Sequence, residues 1–370
     1  MSNVLVSGGA GFVGSHLVDA LLARRHRVRI LDNLTPQVHG GQRPAYLAPE
    51  AELVSGDIRD PNALHRALDG VEIVFHLAAA VGVGQSMYEI AHYVSANTHG
   101  TAVLLQELLS RRNLVQKLVL ASSMSVYGEG RYLCAGCGDT PGARTSEALK
   151  LRHWEPVCPR CSEPLTPVPT DESKALECSS IYALTKRDQE QMCLLFGHTY
   201  GLPVVALRYF NIYGPRQALS NPYTGVAAIF ASRLLNGNAP LVFEDGKQMR
   251  DFLSVHDAVQ ATLLAADRPE ADGCALNVGS GQPTSVCEVA SALARALKTD
   301  LAPALTGKHR SGDIRHCFAD IAAARRALGY IPQVSLASGL DDLVKWLRLQ
   351  QPQDRAAEAA AHLSSYGLTV

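Results

Sequence analysis

The sequence predicts a doubly wound α/β fold, in which a parallel sheet carries helices on both of its faces. Two observations predict it. Between residues 3 and 120, short Val/Ile/Leu-rich runs alternate with longer stretches of helical spacing, the pattern of successive βαβ units. The first apolar run also leads directly into Gly8, Gly11 and Gly14, the composition of a strand-to-helix turn that lets a ligand approach the backbone closely.

The strand-like runs are residues 4–6, 28–31, 53–54, 73–77 and 117–121, and the segments between them with helical spacing include 16–24 and 101–109. Strands alternating with helices imply parallel pairing, with both sheet faces covered. After Ser122 the regularity breaks: residues 129–179 are rich in Pro, Gly, Cys and charge and read as an insertion. A helix is expected at 180–200, a strand at 204–209, a helix at 227–235 and a strand at 241–243. Helical spacing at 286–297 and 321–328 fits a smaller C-terminal lobe. The division is therefore a first nucleotide-binding part at 1–128, the insertion at 129–179 and a second part of the same domain at 180–213. A substrate lobe follows at 214–350, with strands returning to the main sheet, and then an Ala- and Gln-rich tail at 351–370 that reads as a loosely held helix.

A chain of 370 residues with 47% hydrophobic content can bury a full core. Its 34 basic residues nearly cancel 35 acidic ones with no long basic block, which argues against duplex nucleic acid or an anionic membrane as partner and for a small molecule. There is no signal-peptide pattern at the N-terminus and no apolar run of the roughly 18–20 residues that span a bilayer, so a cytoplasmic protein is expected. Nine cysteines in that compartment are expected as thiols, and Cys-x-x-Cys pairs as metal or redox sites.

Gly8, Gly11 and Gly14, with Phe12 and Val13 between them, mark the phosphate-binding turn of a Rossmann-type fold, where a pyrophosphate rests on the free N–H groups of a helix N-terminus. The next strand ends at Asp32-Asn33. A carboxylate there accepts from ribose hydroxyls and repels a 2′-phosphate, which selects NAD over NADP, although Asp32 also suits a turn. Asp57-Ile58 after the third strand are placed to meet the adenine, and Leu77, Ala78 and Ala79 after the fourth are small enough to let a cofactor lie close. His76 reads as a core histidine.

Tyr182 and Lys186 lie one helical turn apart and project from one face. An ammonium there lowers the phenol's pKa, making it an acid or base for an alcohol or ketone, and Ser123 at the end of the strand 117–121 can hydrogen-bond the same oxygen. A non-catalytic NAD-binding redox sensor is the alternative of another class, and a sensor has no use for this trio.

Taken in order, Gly8-x-x-Gly11-x-x-Gly14, Ser122-Ser123-x-x-Val126-Tyr127-Gly128, Tyr182-x-x-x-Lys186, Arg208-Tyr209-Phe210-Asn211-x-Tyr213-Gly214-Pro215 and Arg250-Asp251-Phe252 resemble the extended short-chain dehydrogenases that act on nucleotide sugars. The resemblance implies NAD as cofactor, a nucleotide-diphosphate sugar as substrate and a homodimer. It implies that Asn211 and Arg250 hold the diphosphate, that Asp313 and Arg315 contact the nucleoside, and that Asn97 orders the helix behind the site. From the residues alone, Arg250 could equally form a surface salt bridge and Asn211 a turn-stabilising amide.

Relatives that dehydrate sugars carry Asp-Glu after the catalytic hydroxyl residue; here Met124-Ser125 stand in its place. Neither ionises to a carboxylate, so epimerisation at C4 is favoured over dehydration, and a dehydratase or reductase of the same family is the alternative. The segments 81–86 and 220–225, with Ser86 and Tyr223, resemble members acting on dTDP-L-rhamnose, whereas Cys317 falls where some UDP-hexose epimerases place a gate residue.

Ser123 and Tyr182 stand about twice as far apart as in those relatives. The added segment carries Cys134-x-x-Cys137, twenty residues, and Cys158-x-x-Cys161. Four thiolates at this spacing match a structural zinc-ribbon site that folds a segment too small for its own core. The alternatives are a redox pair, which lacks its βαβ setting, and coincidental cysteines. The module is expected near the substrate entrance, covering the sugar, while Cys178, Cys193, Cys274 and Cys287 read as packed thiols.

Overall fold

The computed structural model describes residues 1–111 and 113–369. Seven strands form an all-parallel sheet: β1 (Asn3–Ser7), β2 (Arg27–Asp32), β3 (Glu52–Ser55), β4 (Ile73–His76), β5 (Lys117–Ser123), β6 (Val204–Tyr209) and β7 (Ala275–Val278), in the order β7-β6-β5-β4-β1-β2-β3. Period-two alternation sends Val4, Val6, Ile30, Val119 and Leu207 into one core cluster and Leu5, Leu31, Leu118, Leu120 and Ala206 into another. Two buried faces explain why these strands read as unbroken apolar runs. A third cluster, built on Phe230, Phe252, Val289 and Leu343, is the core of the C-terminal lobe.

The chain leaves β1 toward one edge through β2 and β3, then returns to place β4 on β1's other side. At such a reversal the connections after the two central strands part company, and a crevice opens at their carboxyl ends. Two helices frame it. α1 (Phe12–Ala23) follows β1; α2 (Ile181–Tyr200) starts where the Ser180 side chain accepts the Ala183 N–H at 3.1 Å and stops at left-handed Gly201. His76 is a core histidine, holding Ser7 Oγ at 2.8 Å and Thr101 Oγ1 at 2.9 Å; burial pushes its pKa down to about 3.

Residues 129–179 contribute a three-stranded antiparallel sheet whose apolar cluster is Tyr132, Cys134, Cys158 and Leu165. The tail departs from the loose helix expected for it. α3 (Ala356–Ser365) buries Ala359 and Leu363, and Tyr366 stacks on Tyr88 with ring centroids 4.9 Å apart. Among the described residues, no helix is long and apolar enough to cross a membrane.

Candidate active site

One continuous cavity of about 690 Å³ runs from the β1 turn to the C-terminal lobe. At one end lie Gly8, Gly11, Phe12, Val13 and Gly14. Gly8 has φ +71°, and a Cβ there would sit 2.8 Å from the Ala78 backbone nitrogen; a Cβ on Gly14 would run into the Gly8 carbonyl. Only glycine leaves this cradle open. Asp32 closes the far wall, its two oxygens accepting from Ala10 N at 3.1 Å and Leu34 N at 2.9 Å, so it orders the turn and faces the cavity at once. Asn33 donates to Asp57 at 3.0 Å; hydrogen bonds from Arg59 hold the Asp57 carboxyl well below the usual range. Ile58, Leu77, Ala78 and Ala79 complete this end.

At the cavity's centre the end of β5 meets the first turn of α2. Ser123, Tyr182 and Lys186 all line it. The Lys186 ammonium donates to the Ala121 carbonyl at 2.8 Å, and burial brings its pKa down to about 8. Burial pushes the Tyr182 phenol up to about 12, against a hydrogen bond from Ser123 that pulls it down. The expected lowering of the phenol by Lys186 is not part of this balance, which burial and Ser123 set between them. Ser123 Oγ in turn accepts from the Ser125 hydroxyl at 2.8 Å.

Beyond Tyr182 lie Asn211, Tyr223, Arg250 and Asp313. Among the described residues, Asn211 Oδ1 is buried without a partner, as is Gln217 Oε1 nearby, so Asn211 is not the satisfied turn amide it could have been. Arg250 makes no salt bridge among the described residues; it donates to the Arg315 carbonyl at 2.8 Å and the Ile314 carbonyl at 2.6 Å. The Tyr223 hydroxyl accepts from Tyr88 at 2.5 Å.

Four expected residues lie outside the cavity. Arg315, expected at the nucleoside, is fully buried among Glu155, Glu244 and Asp245. Ser86 is buried too: its hydroxyl donates to the Val83 carbonyl and accepts the Tyr182 N–H at 3.0 Å, so it holds the start of α2 rather than a sugar. Asn97 pins the cofactor-side loop from behind, through Ala80 N at 2.7 Å and Thr185 at 3.0 Å. Cys317, expected as a gate, packs against Thr170. Of the insertion, only its last residue, Ser179, lines the cavity, so the module stands beside the cavity instead of covering it.

Residues 4–279 match the model of the NAD dependent epimerase/dehydratase family. The chain belongs to that family. It is 34% identical over 352 residues to the dTDP-L-rhamnose 4-epimerase of Burkholderia thailandensis, covering 93% of this chain and 94% of that protein. Among solved structures it is similar to the UDP-glucose 4-epimerase of Thermotoga maritima with UDP-glucose, at 32% identity, TM-score 0.77, and 94% and 99% coverage of the two chains. It is also similar to the UDP-glucuronic acid 4-epimerase of Bacillus cereus in complex with UDP-glucuronic acid and NAD, at 26% identity, TM-score 0.75 and the same coverages, 94% and 99%.

The dinucleotide that names the family fits the cradle present here: side-chain-free glycines at the turn and a carboxylate 22 residues beyond Ala10 of the kind that accepts from a ribose. Residues not foreseen from sequence also line the cavity, notably Arg310, stacked over Phe243 at 4.5 Å and bonded to Asp313, and the tail residues Ala359, Ala360 and Leu363. Arg310 stands three residues before Asp313 and was legible as a cation beside that motif. The tail carried no signal beyond helix propensity.

Proposed function

We propose that this protein is an epimerase acting at C4 of a nucleoside-diphosphate sugar, with NAD held at the glycine turn. The observation that carries the reading is that Ser123, Tyr182 and Lys186 sit between the dinucleotide cradle and the Asn211/Arg250 end of a single cavity. NAD, held by Gly8, Gly11, Gly14 and Asp32, would supply a reversible hydride acceptor. Tyr182 Oη removes the proton of the C4 hydroxyl and later returns it; Ser123 Oγ holds that same oxygen; and Lys186, fixed by the Ala121 carbonyl, favours the phenolate. Inversion requires the keto sugar to offer its opposite face. A diphosphate gripped at Asn211 and Arg250 leaves the sugar as the part that turns.

Dehydration finds no support. Among the described residues, the carboxylates lining the cavity are Asp32 and Asp57 at the cradle and Asp313 bonded to Arg310, none of them beside Tyr182. The family relative named dTDP-L-rhamnose 4-epimerase supports a 6-deoxyhexose on dTDP as the substrate. Apolar Leu363, Ala359 and Ala360 on the cavity wall suit a substituent such as a methyl group. The protein should purify with NAD bound and convert one member of a panel of dTDP-, UDP- and GDP-sugars without added cofactor, read by NMR of the products. Net reduction that consumes stoichiometric NADPH would move it to the reductases instead.

The insertion we read as a zinc site. The four sulfurs lie within 4.8 Å of one another, with Cys134 and Cys161 at 3.4 Å. A tetrahedron of Zn–S bonds has edges of about 3.8 Å, close to these separations, so a zinc ion would need only small shifts of the sulfurs. Four protein ligands leave no open position, which makes the role structural. Ile90, Val94, Leu184 and Leu195 are exposed on the helices Ile90–Tyr93, Val94–His99 and Ile181–Tyr200, apolar surface that a second copy would cover, and reduced thiols suit a cytoplasmic enzyme. Native mass measurement of protein purified without chelator is expected to give a dimer with one zinc per chain. Monomer alone would refute the dimer, and less than about a tenth of an equivalent of zinc would refute the closed site.

A further inference from the structure

We infer that the four-cysteine module is a metal-dependent brace for the nucleotide-binding wall of the cavity, with Glu155 and Arg144 as positioning residues that act through the segment 313–316. The inference rests on the zinc reading above. Gly312, Asp313 and Ile314 face the cavity, whereas Arg315 and His316 lie behind them against the insertion. From the cavity side, Arg250 grips the Ile314 and Arg315 carbonyls. From behind, the insertion grips the same segment through six hydrogen bonds. The Glu129 carboxylate accepts the Arg315 and His316 N–H groups at 2.8 and 3.3 Å; Tyr132 Oη accepts the His316 N–H at 3.2 Å; Arg144 donates to the Asp313 carbonyl at 2.9 Å; and Glu155 meets Arg315 Nε at 3.0 Å and His316 Nε2 at 2.9 Å.

The charges make this grip matter. Arg315 has no exposed side-chain surface and shares its guanidinium between Glu155 of the insertion and Glu244 and Asp245 of the lobe. Glu244 is also buried, and divides its oxygens between Arg315 at 2.8 Å and Arg144 at 2.6 Å. Withdrawing the insertion therefore strips one partner from each of two buried ions, and the segment carrying them relaxes toward water.

What keeps Glu155 and Arg144 in place is not a core, since the module's apolar cluster has four members and two of them are Cys134 and Cys158. Glu155 precedes the second cysteine pair by three residues. The turn closed by Cys158 and Cys161 brings Val157 opposite Pro164, and Leu165 N bonds the Pro156 carbonyl at 3.1 Å. Metal–thiolate bonds that close this turn thereby fix the position of Glu155.

The test uses full-length enzyme with its bound NAD and calorimetric titration with dTDP, UDP and GDP in parallel. Zinc-loaded wild type, chelator-stripped wild type, Glu155→Gln and Glu155→Asp are compared for nucleotide affinity, NAD content and zinc content. The nucleotide that wild type binds should bind roughly tenfold more weakly after stripping, with NAD content unchanged. Glu155→Gln should weaken it comparably while retaining its zinc, and Glu155→Asp should recover most of the loss. Because the Glu155 side chain is half exposed, its neutral variant should fold. Unchanged affinity in either the stripped protein or Glu155→Gln would overturn the brace. Wild type without zinc would instead refute the metal reading, with Glu155→Gln still testing the grip. Wild type that binds none of these three nucleotides would refute the nucleotide-sugar reading and the brace with it.

Discussion

Tyr182→Phe lowers turnover by about 10²–10⁴-fold, the span that a positioned proton donor or acceptor contributes, while nucleotide-sugar affinity and NAD content stay near wild type. The ring is buried, packs edge-on to Tyr93 at 6.4 Å and keeps its place in the variant. The lost hydroxyl is the one whose pKa burial pushes up to about 12 and whose partner is Ser123. Removing it deletes the group that carries the C4 proton, without opening a cavity or leaving a buried ion unpaired. Single-turnover measurement of the NADH absorbance after adding the substrate identified by the NMR panel is the direct check. A near-wild-type rate would exclude Tyr182 as the acid/base.

Glu190→Ala is expected to cost about 3–5 kcal/mol and to lower the melting temperature by roughly 5–10 °C. Glu190 is fully buried on α2 and accepts from Arg208 Nη2 at 2.6 Å, Arg208 Nε at 3.0 Å and Ser122 Oγ at 2.7 Å. Arg208 is itself buried on β6, and continues the chain to the Tyr127 hydroxyl at 2.8 Å, which donates to Asn277 on β7 at 2.7 Å. Alanine leaves a guanidinium without its counter-ion in the middle of the sheet. The double variant Glu190→Ala/Arg208→Met, which removes both charges, should recover part of the loss. Thermal melts followed by circular dichroism decide it: a single variant melting within about 2 °C of wild type would mean that the pair contributes little. Because Ser122 adjoins Ser123, the single variant should also lose activity below its melting point.

The two effects differ in how legible they were. Tyr182, Lys186 and Ser123 were found from short-range spacing, because one helical turn and one strand end set which way they project. Glu190 carried no signal: a glutamate one turn beyond Lys186 reads as solvated until the arginine of a strand 18 residues later is known to reach it.

The parallel sheet, the dinucleotide cradle at Gly8, Gly11 and Gly14, the carboxylate Asp32 and the four clustered thiols were determined by the sequence alone. Each depends on interactions within a single strand, turn or repeated spacing, where local backbone geometry leaves few choices. Tertiary structure decided where side chains with several possible partners go. Arg315 and Asp313 share one motif, yet Asp313 lines the cavity while Arg315 turns to carboxylates 160, 71 and 70 residues away in the chain. The tail came to line the cavity because Leu363 buries itself against Gly84, and the insertion came to stand behind residues 313–316 because its charged groups meet their counter-ions there. A buried charge takes the orientation in which it is paired, and which pairs are available is known only once distant segments are packed together.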